Sequence, residues 1–251
     1  MSSHELKPQL DFLEWDSRFF GRPVFRLKPC GLMPNVMEPL IESFGDTSDG
    51  KALIYLQNAE MLPASAKMPR HWELVDVGSK VSLDLTLRPS KSLPPKNEDV
   101  SFKSWRAKET SESLRELAVT ASHLSRFRID HRMDEQLANR LYCHWIEKSV
   151  AGELADQTFI AETSQNDIVA MSTVKLVGNH ATIGLFAVNE RMRGKGVGHG
   201  LITYTLDWLR GVDCSTVTVS TQLNNTAAVA LYQKSGFQIG ETHLLNHLWV
   251  N

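Results

Sequence analysis

Cysteine is scarce. The 251 residues hold three, Cys30, Cys143 and Cys214, too few and too scattered for a disulfide framework or a CxxC metal site. That predicts a reducing, cytoplasmic setting. An excess of charge of one sign is also missing: 27 Lys and Arg stand against 29 Asp and Glu, a formal net charge of −2. Such a balance gives no electrostatic footprint for nucleic acid or an anionic membrane. No uninterrupted apolar run approaches the roughly 20 residues needed to span a bilayer. The opening MSSHELKPQLDF lacks the basic-then-apolar order of a signal peptide. The expectation is a chain with no membrane anchor whose partners are small molecules, with a homodimer compatible with this reading. A metal is not expected either. The nearest histidine pair, His243 and His247, falls in a predicted strand, where that spacing holds the imidazoles too far apart to share an ion.

What is present divides the chain. The length suffices for one large domain or two modest ones, each with a proper core. Residues 1–90 read as a small α+β unit. Asp16-Ser17 is a candidate cap before a helix at Arg18–Gly21, residues 35–44 suit a helix, and Ala52–Leu56 suits a buried strand. The alternation of Val81, Leu83, Leu85 and Leu87 suits a half-exposed strand. Arg88–Asp99, RPSKSLPPKNED, is polar and carries three prolines, so residues 91–99 are predicted to be a linker. Residues 100–251 form the larger domain. Its helices are expected at 111–121, capped by Thr110 or Ser111, and at 134–150. Three closely connected strands follow at Thr158–Glu162, Val169–Val177 and Ala181–Val188. TVTVS at 216–220 is a further strand, and Asn225 is a candidate cap for a helix ending before Gly236. Strands at Phe237–Gly240 and Leu244–Val250 close the chain.

The chemistry concentrates after the third meander strand, where Arg193-Gly194-Lys195-Gly196-Val197-Gly198 opens a helix running to Gly211. Main-chain N–H groups, two cations and no bulky side chain at a helix start make a preformed anion site. No Gly-Lys is followed by Ser or Thr, so the turn is not a P-loop, and it does not follow the first strand of a βαβ unit. Gly198 and Gly200 each sacrifice about 1 kcal/mol against alanine in a first helical turn, a loss that close approach of a ligand to the backbone would explain.

Val188-Asn189-Glu190-Arg191-Met192-Arg193-Gly194-Lys195-Gly196-Val197-Gly198 resembles the acetyl-CoA loop of the GNAT family of N-acetyltransferases, R-x-x-G-x-G/A. Glu190 departs from a proline frequent in that family. Asn225-Thr226-Ala227-Ala228-Val229-Ala230-Leu231-Tyr232-Gln233-Lys234-Ser235-Gly236-Phe237 is similar to its second signature, N-x-x-A-x-x-L-Y-x-K-x-G-F. The resemblance implies an α+β fold with a mixed, mostly antiparallel sheet that splays beside the strand ending near Val188. It also implies acetyl-CoA as co-substrate. Pantetheine would run along that strand, and the pyrophosphate would take N–H bonds from Arg193, Gly194, Lys195, Gly196, Val197 and Gly198. Asn225 would face the pantetheine or thioester, and N–H groups at Ala187 and Val188 would polarise the carbonyl. Tyr232 would be the general acid toward the departing thiolate, which a phenol near pKa 10 suits. For a base, Asp130, Glu162, His180, Glu190 and a water chain remain open.

A narrower resemblance concerns the acceptor. Trp15-Asp16-Ser17-Arg18-Phe19-Phe20-Gly21, Ser125-Arg126-Phe127 with Asp130, and Leu141-Tyr142-Cys143-His144-Trp145-Ile146 look like the dTDP-fucosamine N-acetyltransferases. Those enzymes carry a reduced GNAT-like domain before the catalytic one, and an internal echo between residues 66–87 and 232–250 fits that arrangement. This resemblance implies a nucleotide-linked aminosugar as acceptor, with Arg126, Phe127 and Asp130 near it. Another small amine, a protein N-terminus, or a non-catalytic acetyl-CoA-binding module are the alternatives.

Overall fold

The computed structural model describes residues 10–27, 40, 44, 51–57, 68–88 and 97–251. Two compact units emerge, Met1–Lys80 with His243–Asn251, and Val81–Thr242. The division differs from one at residues 91–99, most of which lie outside the described residues. It falls inside two long strands, β4 (Trp72–Thr86) and β10 (Gln238–Val250). A long strand can serve two cores: Trp72 packs in the first unit, while Val81 and Leu83 pack in the second. The two closing strands expected at the C-terminus are likewise the single strand β10.

In the first unit, β1 (Leu10–Phe12) pairs antiparallel with β2 (Val24–Leu27), which runs parallel to β3 (Ala52–Gln57). β3 pairs antiparallel with Leu245–Val250 of β10. The core gathers Leu27, Ile54, Leu56, Trp72, Leu248 and Val250. Helix α1 spans Glu14–Phe20, so Asp16-Ser17 is not its cap. Ser17 sits mid-helix, where its hydroxyl donates to the Leu13 carbonyl at 2.7 Å and accepts from the Val24 N–H at 2.8 Å. It staples the helix to the next strand instead. The helix expected at 35–44 lies outside the described residues except for Leu40 and Phe44.

In the second unit the strand order is β10, β4, β9 (Thr216–Gln222), β8 (His180–Val188), β7 (Ile168–Val177), β6 (Gln157–Thr163), β5 (Val100–Ser104). From β5 to β8 neighbours are antiparallel, as the short β6–β7 and β7–β8 connections require of those pairs, and β8 is parallel to β9. Helices α2 (Glu112–Ser122) and α4 (Glu135–Val150) cover one face, burying Leu114, Leu117, Ala118 and Ile146 against Ile160 and Met171. Of the two residues expected to cap α2, Ser111 does so, its Oγ accepting from the Leu114 N–H, and Asp134 caps α4 by accepting from the Gln136 N–H. On the other face lies α5 (Val197–Gly211), with Val197, Leu201, Ile202, Leu206 and Leu209 buried. α6 (Thr226–Lys234) follows β9. The segment between α2 and α4, which reads as a loop, contains a single helical turn, α3 (Arg126–Ile129).

Candidate active site

The site begins with an irregularity in β8. Between the pairs Ser172–Phe186 and Val174–Ile183, β8 sets two residues, Gly184 and Leu185, against Thr173 of β7. This is a β-bulge, and a one-residue excess swaps every later side chain to the opposite face. Ala181 and Ile183 accordingly pack with α5, whereas Leu185 and Ala187 pack with α2 and α4, and Phe186 and Val188 turn to the α5 side. The Leu185 N–H, displaced from the ladder, donates to the Thr173 hydroxyl at 2.8 Å in a buried setting. A side chain at Gly184 would begin 3.0 Å from that oxygen.

Beyond the bulge the sheet opens. β8 pairs with β9 from His180–Thr216 only to Ile183–Val219, although both strands continue. Residues 184–188 therefore keep a backbone edge without a β9 partner. The Asn189 N–H goes to the Val169 carbonyl of β7 at 2.8 Å. By the alternation of a strand, Phe186 and Val188 aim their N–H groups the other way, into the opening, while that of Ala187 faces β7. Of the two N–H groups expected to polarise a carbonyl, Val188 has the right direction.

The edge runs into the glycine turn. Asn189 caps a 3₁₀ turn, Glu190–Met192, by accepting from the Arg191 N–H at 3.0 Å. Gly194 and Gly196 have φ of +75° and +79°, a conformation that glycine alone adopts without strain. The N–H groups of residues 194–199 donate to no acceptor among the described residues. The first inward bond of α5 is Gly200 N–H to the Gly196 carbonyl at 2.9 Å. Six unpaired donors on one turn, at the positive end of a helix, form a cradle that could hold a phosphate or pyrophosphate. The Arg193 guanidinium lies over the same turn, bonded to the Val188 carbonyl at 3.4 Å and to Glu190 at 3.3 Å.

The two helical glycines have different reasons. Gly198 would place a Cβ 3.4 Å from both Leu231 and Val188, so it lets α5, α6 and β8 converge. Gly200 would place a Cβ 2.3 Å from the ring tip of Phe102. Close approach of a ligand was the expected explanation for both, but Gly200 is a packing glycine beneath β5.

Tyr232 and Asn225 come from α6. Asn225 is the cap, accepting from the Ala228 N–H at 3.2 Å. Tyr232 is 3% exposed, with its ring 6.0 Å from Phe186 and 5.7 Å from Phe237. Burial pushes its phenol well above the ordinary value, because an anion there would lose its hydration. It is a neutral O–H donor across the working pH range. Phe186 belongs to the opened stretch of β8, so the phenol ring stands against the splayed strand.

The other candidates separate. Phe127 is buried against Trp145 at 5.9 Å between ring centres, and the Asp130 carboxylate, 1% exposed, accepts from the Arg132 N–H at 2.9 Å. Arg126 lies over the Phe127 ring at 4.7 Å and keeps partial exposure. Arg128 is committed to Ser122, Glu135 and Asn139. Among the potential bases, Glu162 pairs with Lys103 and Glu190 with Arg193. His180 bonds Thr216 at the paired end of β8, roughly 26 Å along the strand from Val188 at about 3.3 Å per residue. Among the described residues no group of three or more His, Cys, Asp or Glu could hold a metal ion. None of their helices is long and apolar enough to cross a membrane.

Sequence reasoning missed Thr173, Asn97 and Phe102. Gly184 inside a strand pattern was the available sign of the bulge. Asn97 and Phe102 touch the turn and its helix from a segment about a hundred residues upstream, a contact that only folding creates.

A mixed sheet opened beside a bulged strand, with unpaired N–H groups at the following helix, is the arrangement of the GNAT fold. The Acetyltransferase (GNAT) family model matches residues 115–237, from within α2 to Phe237. The dTDP-fucosamine acetyltransferase of Escherichia coli is 35% identical over 131 residues, covering 52% of this chain and 55% of that protein. A spore coat polysaccharide biosynthesis protein of Bacillus subtilis is 24% identical over 139 residues, covering 55% of this chain and 47% of its own length. The chain thus spans about half the length of these curated relatives. A GNAT structure from Sphaerobacter thermophilus superposes with a TM-score of 0.62 at 15% identity over 98% of this chain and 77% of that one, a likeness of fold.

Proposed function

We propose that the protein is an acetyl-CoA-dependent N-acetyltransferase acting on the amine of a nucleotide-linked aminosugar of the dTDP-4-amino-4,6-dideoxyhexose type. The observation that carries the first part is the continuity of the site. The unpaired edge at residues 184–188 leads directly into the six free N–H groups of residues 194–199. An extended pantetheine with two amides suits such an edge as an added strand, and its pyrophosphate suits the cradle. The residues present therefore fit acetyl-CoA, with Arg193 through Gly198 on the phosphates and Asn225 at the inner end.

The thioester supplies an electrophilic carbonyl. In this reading the Val188 N–H polarises that oxygen, the acceptor nitrogen attacks the carbon, and the carbon–sulfur bond breaks. Tyr232 passes its proton to the leaving sulfur and is reprotonated from solvent. The proton lost by the acceptor nitrogen leaves through water, since Asp130, Glu162 and Glu190 are otherwise engaged and His180 is distant.

The acceptor reading is supported by the relative named a dTDP-fucosamine acetyltransferase and by Arg126, whose guanidinium suits a diphosphate. Phe127, whose ring lies under the Arg126 guanidinium, would then hold that group in place rather than touch the sugar. Assay with acetyl-CoA against a panel of dTDP- and UDP-aminosugars tests it. Turnover of a dTDP-aminosugar is expected, and Arg126→Ala should raise the KM for that sugar while leaving the KM for acetyl-CoA unchanged. Turnover of a peptide or free amino acid with none of the sugars overturns the acceptor reading.

A further inference from the structure

We infer that Asn97 is a positioning residue that holds the peptide between Lys195 and Gly196 in its anion-binding orientation. The inference rests on the reading of residues 194–199 as the pyrophosphate cradle.

The Asn97 side-chain amide donates to the Lys195 carbonyl at 3.1 Å. Its own oxygen accepts from the Asp99 N–H at 2.9 Å, so the side chain is fixed at both ends. A trans peptide points its C=O and its N–H in opposite directions. Tying the Lys195 carbonyl back to Asn97 therefore aims the Gly196 N–H away from Asn97, into the cradle, and keeps a carbonyl oxygen from facing the anion. The restraint matters at this peptide because Gly196 adopts a φ of +79°, and glycine crosses between backbone regions at little steric cost. Without Asn97 the peptide plane can turn over. A turned plane would replace one donor by one acceptor, the opposite of what a phosphate needs.

Phe102, the fifth residue after Asn97, lies over Gly200 in the same helix start. The stretch from Asn97 to Phe102 thus braces both sides of the cradle: the side chain of Asn97 sets the peptide and the ring of Phe102 seats the first turn. The segment that composition marks as a passive linker ends in a functional support.

The test is acetyl-CoA binding by the full chain and by Asn97→Ala, measured by titration calorimetry, together with thermal unfolding of the ligand-free proteins and amide relaxation dispersion. The loss of one oriented donor should weaken binding about five- to tenfold. The ligand-free thermal midpoint should move little, since both hydrogen bonds of the side chain are exposed to water, and new microsecond-to-millisecond exchange should appear at the Gly196 amide. An unchanged dissociation constant, or weaker binding with no new exchange at Gly196, overturns the inference and leaves the acetyl-CoA reading standing. Failure of the unsubstituted chain to bind acetyl-CoA overturns both.

Discussion

The buried Thr173 hydroxyl accepts the Leu185 N–H at 2.8 Å, taking the place of the ladder bond that the β8 bulge removes. Thr173→Val keeps the β-branched shape and deletes that acceptor, leaving a buried donor unpaired. The expected cost is about 1–3 kcal/mol in urea unfolding. The loss should be accompanied by weaker acetyl-CoA binding, because the bulge sets where β8 leaves β9. Unfolding free energy within error of the unsubstituted protein would show that the bulge needs no such support.

Tyr232→Phe should reduce the rate of acetyl transfer by about 10² to 10⁴ with acetyl-CoA affinity retained, the signature of a proton donor rather than a binding group. Burial raises the folded-state pKa of the phenol, so the folded form holds its proton where the unfolded chain, near pH 10, releases it. Below that pH the group makes no pH-dependent difference. Above it, the unfolded state binds fewer protons and stability falls as pH rises, by up to about 1.4 kcal/mol per pH unit from this one group. Chemical denaturation between pH 8 and 11 should show a shallower alkaline decline for Tyr232→Phe. Equal slopes would mean that the phenol is hydrated.

Glu190 stands beside the phosphate cradle, 3.3 Å from Arg193, with both side chains more than half exposed. Such a pair adds little stability, so Glu190→Gln should leave the thermal midpoint unchanged. It should free Arg193 and remove a negative charge near the pyrophosphate, tightening acetyl-CoA binding roughly two- to fivefold at low ionic strength and less in 0.5 M salt. Weaker binding in the variant would mean that Glu190 orients Arg193 productively.

Gly200→Ala drives a methyl group into the Phe102 ring, which overrides the gain of about 1 kcal/mol that alanine brings to a helix. In a Phe102→Ala background the same change should stabilise. A double-mutant cycle is therefore expected to give a coupling of roughly 1–2 kcal/mol. Additive effects would place the ring elsewhere.

Local patterns determined a good part of this protein. The caps at Ser111, Asp134 and Asn225, the meander strands and the glycine-rich helix start follow from side chains that act on their own neighbours within a few residues. The same range of action makes the Arg193–Gly198 turn at the start of α5 and the α6 motif around Tyr232 recognisable, since each lies in one contiguous stretch. Tertiary structure decided what depends on distant partners. Ser17 became a staple because Val24 came to meet it, and Phe127 and Asp130 became buried because α4 and the turn after α3 enclosed them. Gly200 proved to be shaped by Phe102, and Asn97 reached the Lys195 carbonyl across 98 residues. The opening of the sheet after Ile183 and Val219 belongs to this second kind, since whether one strand leaves another is a property of the pair and of the bulge beside it.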